Sequence, residues 1–405
     1  MSLVANRLKA IKPSPTLAVS AKAAKLKAEG KDVIAMGAGE PDFDTPQFIK
    51  DAGIAAIQKG LTKYTAAGGT PSLKKAIVAK FRRENGLDYT EKQILVSCGG
   101  KQTSFNLCMA LLNAGDEAIV PAPYWVSYPD MAQMANAKPV FIQAGIELGF
   151  KITPQQLEAA ITPKSRLIWI NSPSNPTGAT YTGEELEALG AVLRKHPKIV
   201  IASDDMYEHI LLDGSKFVNI VNVCPDLHDR TVVMNGVSKA YAMTGWRIGY
   251  CGGPQDLIEA MENVQSHSTS NPTSISQYAA EAALTGDQSC IDPMVKAFKE
   301  RGSYVAEALN RIPGVKCLTP TGAFYAFPDC RGAIQALHKA GRIPAPTDLA
   351  LCDYLLAQPK GVAAVPGSAF GAEGYLRISF ATSMENIRKA VERMAEAIAV
   401  APVAA

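Results

Sequence analysis

Short apolar runs bounded by glycine or proline alternate along the chain with stretches of helical periodicity. The runs QILVS (93–97), EAIVP (117–121), PVFIQAG (139–145), RLIWIN (166–171), KIVIAS (198–203), TVVMN (231–235) and RIGYCGG (247–253) are rich in β-branched residues. Their length and near-continuous apolarity predict strands buried on both faces. Between them, residues 101–112, 153–161 and 185–196 carry apolar positions three and four apart and predict amphipathic helices. Upstream, a helix over 46–59 stops at Gly60 and another begins near Pro71. The first dozen residues read as an arm, since Pro13 and Pro15 interrupt any helix there, and SAKAAKLKAEG then predicts one helix that stops at Gly30.

Strands alternating with helices at this spacing predict an α/β fold, with a mostly parallel sheet covered on both faces. Ligands of such sheets gather at the carboxyl ends of the strands. Here those ends carry Gly99 and Gly100, Trp125, Asn175, Asp204 with Tyr207, and Lys239. The pattern changes after residue 253, where helices and short strands mix and predict a smaller α+β unit. The expected division is an arm over 1–14, a small domain from 15–46 with 296–405, and a large domain over 47–295. A chain of 405 residues is long enough for two cores.

Composition narrows the function. An apolar content of 47% and a charged content of 20% are those of a soluble globular protein. The formal net charge of +3 comes with no basic stripe carrying interleaved aromatics, so nucleic acid is not an expected partner. No apolar run of bilayer-spanning length and no signal-peptide core are present, so the expected location is the cytoplasm, with no membrane partner. Eight scattered cysteines without a CxxC pair predict reduced thiols and no metal site.

The strand-end residues carry the chemistry. A lysine just past a buried strand is desolvated, which favours its neutral amine and its attack on a carbonyl; Lys239 has that position. Arg247, eight residues on, suits a phosphate, and the strand–glycine pair–helix unit at Gly99 and Gly100 offers free amides to an anion. Walker A and GxGxxG patterns are absent, which weighs against a nucleotide and against a nicotinamide dehydrogenase. Arg377 lies within an apolar strand, which favours an anionic partner over a structural salt bridge. Pyridoxal 5'-phosphate matches this inventory: its aldehyde needs a lysine, its phosphate needs amides and an arginine, and its ring nitrogen needs a carboxylate.

The motifs GEPDFDTP (39–46), PYW (123–125), NPTG (175–178), SDDMY (203–207) and SKAYAMTGWRIGY (238–250) together resemble the class I aminotransferases of fold type I, over nearly the whole chain. Among them the chain most resembles the bacterial aspartate aminotransferases, some of which also act on prephenate. The resemblance implies a large domain with a seven-stranded sheet and a homodimer. It implies that Lys239 holds the cofactor covalently and moves the substrate Cα proton, that Asp204 pairs with the ring nitrogen, and that Tyr207 and Asn175 bond the ring oxygen. Trp125 would stack on the ring, while Gly100, Lys101, Ser238 and Arg247 would hold the phosphate with Tyr64 of a second subunit. Arg377 would grip the substrate α-carboxylate near the Gly39 amide, with Asn175 and Trp125 also lining the substrate site. Lys101 would meet a distal carboxylate, and Lys12 stands at a place associated with prephenate use. One departure is Gly236, where the family often has serine.

The implied substrates are amino acids and 2-oxo acids: aspartate and 2-oxoglutarate giving oxaloacetate and glutamate, with prephenate as a further acceptor. Three alternatives stay open at this point: an aromatic or alanine aminotransferase, a lyase on the same fold, and a cofactor-binding regulatory domain without turnover.

Overall fold

The computed structural model describes residues 3–9, 11 and 13–399. Helix α1 (Pro15–Ala28) leads into strand β1 (Asp32–Ala35), and α2 (Gln47–Gln58) and α3 (Pro71–Lys80) follow. Pro15 does not break the first helix, as its sequence position suggests, but starts it, because its missing amide costs nothing in a first turn. Thr70 caps α3 by accepting a hydrogen bond from the Leu73 amide. A single π turn over Phe81–Asn85 then extends α3 before Gly86, whose φ of 63° ends it.

Seven strands build the main sheet: β2 (Ile94–Ser97), β3 (Glu117–Ala122), β4 (Lys138–Gln143), β5 (Ser165–Asn171), β6 (Val200–Asp204), β7 (Thr231–Gly236) and β8 (Gly249–Gly252). Their order is β2-β8-β7-β6-β5-β3-β4, and β8 alone runs against the others. Alternate residues feed two cores. Ile94, Ile119, Ile168, Ile201, Val233 and Tyr250 pack on one face, and Leu95, Val120, Leu167, Ala202, Val232 and Cys251 on the other. Burial on both faces explains why these strands read as continuous apolar runs.

The remaining strands are β9 (Tyr325–Ala326), β10 (Lys360–Ala363), β11 (Val365–Pro366) and β12 (Leu376–Ser379). Strand β1 pairs in parallel with β10, so the first strand joins the last quarter of the chain, while β11-β12-β9 form a second small sheet. All eight cysteines are free, six of them buried. Among the described residues no helix is long and apolar enough to cross a membrane.

The reversal of β8 positions the site. Because it runs backwards, the residues just before it lie at the same edge of the sheet as the residues just after β2, β6 and β7. Gly249 is paired with Ser97 on one side and Gly236 on the other. A Cβ on Gly249 would collide with the backbone of Gly99 and Gly100, the turn that opens the next helix, α4 (Gly100–Leu111). Gly249→Ala is therefore expected to destabilise the protein by about 1–3 kcal/mol through overpacking against backbone that cannot step aside. Urea unfolding, with the midpoint lowered and the slope unchanged, is the check.

Candidate active site

A cavity of about 510 Å³ opens at this edge. Gly39, Gly100, Lys101, Trp125, Asn175, Asp204, Tyr207, Ser238, Lys239, Arg247 and Arg377 all line it. Two predicted residues stand apart. Tyr64 is 91% exposed and does not line the cavity of its own chain. Lys12 lies outside the described residues.

Each side chain reaches the cavity for a local reason. Strand β6 ends at Asp204, and the turn that follows brings Tyr207 back to the same side. Strand β7 ends at Gly236, three residues short of Lys239. A Cβ at Gly236 would lie 3.0 Å from the Ile248 carbonyl and 3.1 Å from Met206 Cε, so the missing side chain lets the adjacent β8 approach. Arg247 takes the left-handed conformation (φ 58°) at the start of β8. Its guanidinium donates to the Thr244 and Cys98 carbonyls at 3.0 and 3.3 Å. Gly99 (φ 86°) has no side chain because the Arg247 guanidinium occupies that space.

The lysine amine of Lys239 donates to the Gly39 carbonyl at 2.5 Å. Burial, with Arg377 and Arg247 adding to it, lowers its pKa to about 8. The free amine is thus available near neutral pH, as nucleophilic attack on a carbonyl requires. Asp204 has the opposite problem. Burial raises its pKa, partly offset by the Tyr128 hydroxyl, which donates to Oδ2 at 2.5 Å. A cationic partner placed in the cavity would relieve that penalty.

Arg377 is 2% exposed. It donates from Nη1 to Asn175 Oδ1 at 3.0 Å and from Nη2 to the Gly37 carbonyl at 2.7 Å, and it lies against the faces of Tyr325 and Phe370 at 4.6 and 5.1 Å. Its Nε has no partner, and no carboxylate of the described residues pairs with it. A buried guanidinium with an idle donor fits a ligand carboxylate. Asn175 keeps its amide NH2 available, since its carbonyl oxygen serves Arg377. Tyr207 and Tyr325 join hydroxyls at 2.9 Å. The ammonium of Lys101 stands 4.8 Å over the Trp125 ring and donates to Ser127 Oγ at 2.8 Å.

Tyr128, Tyr325 and three residues of α1, Thr16, Leu17 and Ser20, were not foreseen from the sequence. Tyr128 lay one helical turn beyond the aromatic pair Tyr124 and Trp125, a spacing that would have flagged it. Nothing local marked Tyr325 or α1, whose contacts are with distant parts of the chain.

The inventory fits pyridoxal phosphate: a partly deprotonated lysine, a half-buried carboxylate without a salt-bridge partner among the described residues, and an arginine beside a glycine turn at a helix start. Against known proteins, residues 31–394 match the family model for aminotransferase class I and II. The chain belongs to that family. This aminotransferase is 64% identical over 392 residues to the aspartate/prephenate aminotransferase of Nitrosomonas europaea, covering 97% of this chain and 98% of that one. With the aspartate/prephenate aminotransferase of Cereibacter sphaeroides the identity is 53%, over 97% and 98% of the two chains. The aspartate aminotransferase of Rhizobium meliloti superposes with a TM-score of 0.93 at 49% identity, over 98% and 99%. That of Thermus thermophilus with maleate gives 0.91 at 42%, over 98% and 100%. The expected aminotransferase class and fold are borne out.

The lysine predicts a pH signature for the aminotransferase without cofactor. In the fold Lys239 releases its proton near pH 8, whereas in the unfolded chain it does so at the ordinary lysine value of 10.5. Between those values the unfolded state binds more protons, so Lys239 adds stability as pH rises, and below about pH 8 its buried charge is a full penalty. Lys239→Met should unfold at higher urea than wild type at neutral pH, and this advantage should shrink as pH rises from about 8 to 10.5.

Proposed function

We propose that the chain is a pyridoxal-phosphate-dependent aspartate aminotransferase that moves the amino group of L-aspartate to 2-oxoglutarate, giving oxaloacetate and L-glutamate, and that prephenate is a further acceptor. The observation that carries the substrate class is the charge of the cavity. Lys101, Lys239, Arg247 and Arg377 face Glu40 and Asp204, and none of the four cations forms a salt bridge among the described residues. Two anionic ligands, a phosphate and a dicarboxylic substrate, would balance such a site. Maleate, in the Thermus structure, is a four-carbon dicarboxylate of the same kind.

Pyridoxal phosphate, when bound, supplies an aldehyde that takes up the amino group and a protonated ring that stabilises negative charge at the substrate Cα. Lys239 holds it and then carries the Cα proton. Asp204, whose carboxylate accepts from Tyr128, holds the ring nitrogen protonated. Arg247, Ser238 and the amides of Gly100 and Lys101 at the start of α4 hold its phosphate, and Trp125 covers its face. Asn175 and Tyr207 donate to its ring oxygen, which favours a low pKa at the lysine nitrogen. Arg377 binds the substrate α-carboxylate with the Gly39 amide beside it, and Lys101 turns from Ser127 to the distal carboxylate. Tyr64, so exposed in its own chain, completes the phosphate site of a partner subunit in a homodimer, and Lys12 serves prephenate. Residues 15–46 with 296–405 close as one small domain on 47–295.

A panel of amino donors and keto acceptors tests the reading, with aspartate and 2-oxoglutarate expected to be the fastest pair and prephenate to be converted. Release of a cleaved product in place of the aminated cofactor would point to a lyase. Lys239→Ala should lose covalent cofactor and at least about 10³-fold in kcat, and Asp204→Ala should lose a comparable factor with the fold intact. Borohydride trapping and circular dichroism check the two.

A further inference from the structure

Behind the turn that carries Asp204 and Tyr207 lies a buried ion pair to which the reaction assigns no role. Lys80 is fully buried, and its ammonium is bonded to the Glu208 carboxylate and, at 2.7 Å, to Asn85 Oδ1. Lys80 and Asn85 reach the same carboxylate because the π turn over Phe81–Asn85 brings residues five apart onto one face. Asn85 donates to Glu208 Oε2 at 2.6 Å, and Asn235 donates to Oε1 at 2.8 Å. Asn235 belongs to β7, the strand that runs into Lys239. Glu208 directly follows Tyr207, and its amide bonds the Asp205 carbonyl at 2.9 Å. Asp205 is likewise buried and is tied to Ser203 and Asn219 at 2.7 and 2.9 Å. One carboxylate therefore links three elements: the turn bearing the acid and the phenol, the strand bearing the lysine, and the π turn.

We propose that Glu208 is a positioning residue, which fixes Asp204 and Tyr207 relative to Lys239 through Asn235, with Lys80 and Asn85 holding its carboxylate in place. A tie that served only stability would be met as well by apolar packing, since a buried ion pair is usually no better than hydrophobic residues of the same volume. What apolar residues lack is direction: hydrogen bonds to both carboxylate oxygens fix the turn in orientation as well as depth. This inference rests on the proposed pyridoxal phosphate chemistry for what is positioned, but the ties themselves do not.

The test compares wild type with Lys80→Met/Glu208→Gln, which removes both charges of this pair at once and leaves Glu84, the other carboxylate beside Lys80, its partner His209, and with Asn235→Ser, which keeps the ion pair and cuts its link to β7. Four quantities are measured: the thermal midpoint without cofactor, the dissociation constant for pyridoxal phosphate, the pH midpoint of the bound cofactor's absorption, and kcat and KM separately. The expected result is folded protein in which kcat falls about tenfold or more with KM within about twofold, as for a small misplacement of reacting groups. The absorption midpoint should rise by about half a unit or more, since Tyr207 and Asn175 would no longer lower the lysine nitrogen's pKa together.

Wild-type kcat and absorption midpoint in either folded variant would overturn the proposal. So would losses that disappear when the assay is cooled well below each variant's thermal midpoint, or failure of both variants to fold, because either makes the network a stability element only. A wild-type protein that binds no pyridoxal phosphate would instead sink the cofactor assignment, and that is visible before any variant is made.

Discussion

Arg377 and Arg247 are held at the cavity by backbone carbonyls, a side-chain amide and aromatic faces, with no carboxylate of the described residues in ion-pairing reach. Neutral acceptors orient a guanidinium without cancelling its charge, so both arginines keep their attraction for an anionic ligand. The same field lowers the Lys239 pKa, since Arg377 and Arg247 are its largest charge influences after burial. Orientation by neutral groups therefore serves binding and nucleophilicity together. A carboxylate beside either arginine would weaken both.

The sheet makes this possible by bringing unlike groups to one edge. Parallel strands β2, β3, β5, β6 and β7 deliver their following residues there, and β8, reversed, delivers its preceding residue. Asp204 ends β6 and Lys239 follows the neighbouring β7, so strand separation sets their approximate distance and leaves the orientation of the turn after Asp204 to be fixed by side chains. Gly249 is required where β8 comes too close to the Gly99–Gly100 backbone for a Cβ, while Gly99 leaves room for the Arg247 guanidinium and Gly236 sits in a tight fit against β8.

Much of this was legible in the chain. Lys239, Asp204, Asn175 and the glycine turn each end an apolar run, and the edge of the sheet follows from that position alone. What was hidden depends on contacts between distant residues. Lys80 reads as one more basic residue on a helix, and its burial follows only from Glu208, 128 residues away. The π turn was hidden because FRREN continues the helical period of α3, and the bond from Asn85 to Glu208 that goes with it joins residues 123 apart. Tyr325 reaches Tyr207 across 118 residues. Pro15 was misjudged for another reason: a proline that breaks a helix interior also begins one, and the local sequence does not separate the two.

The pairing of β1 with β10 has a consequence for the order in which the protein is made. A growing chain that has emerged through residue 253 already contains every strand of the main sheet, with Asp204, Lys239 and Arg247 among them. Arg377 and the partner strand of β1 are translated more than a hundred residues later. Because domains fold as units while synthesis proceeds from the amino terminus, the nascent polypeptide can form the sheet edge that carries Asp204, Lys239 and Arg247 before it owns the buried guanidinium of Arg377. Until then Gly37, whose carbonyl accepts from that guanidinium in the finished enzyme, waits just past an unpaired β1.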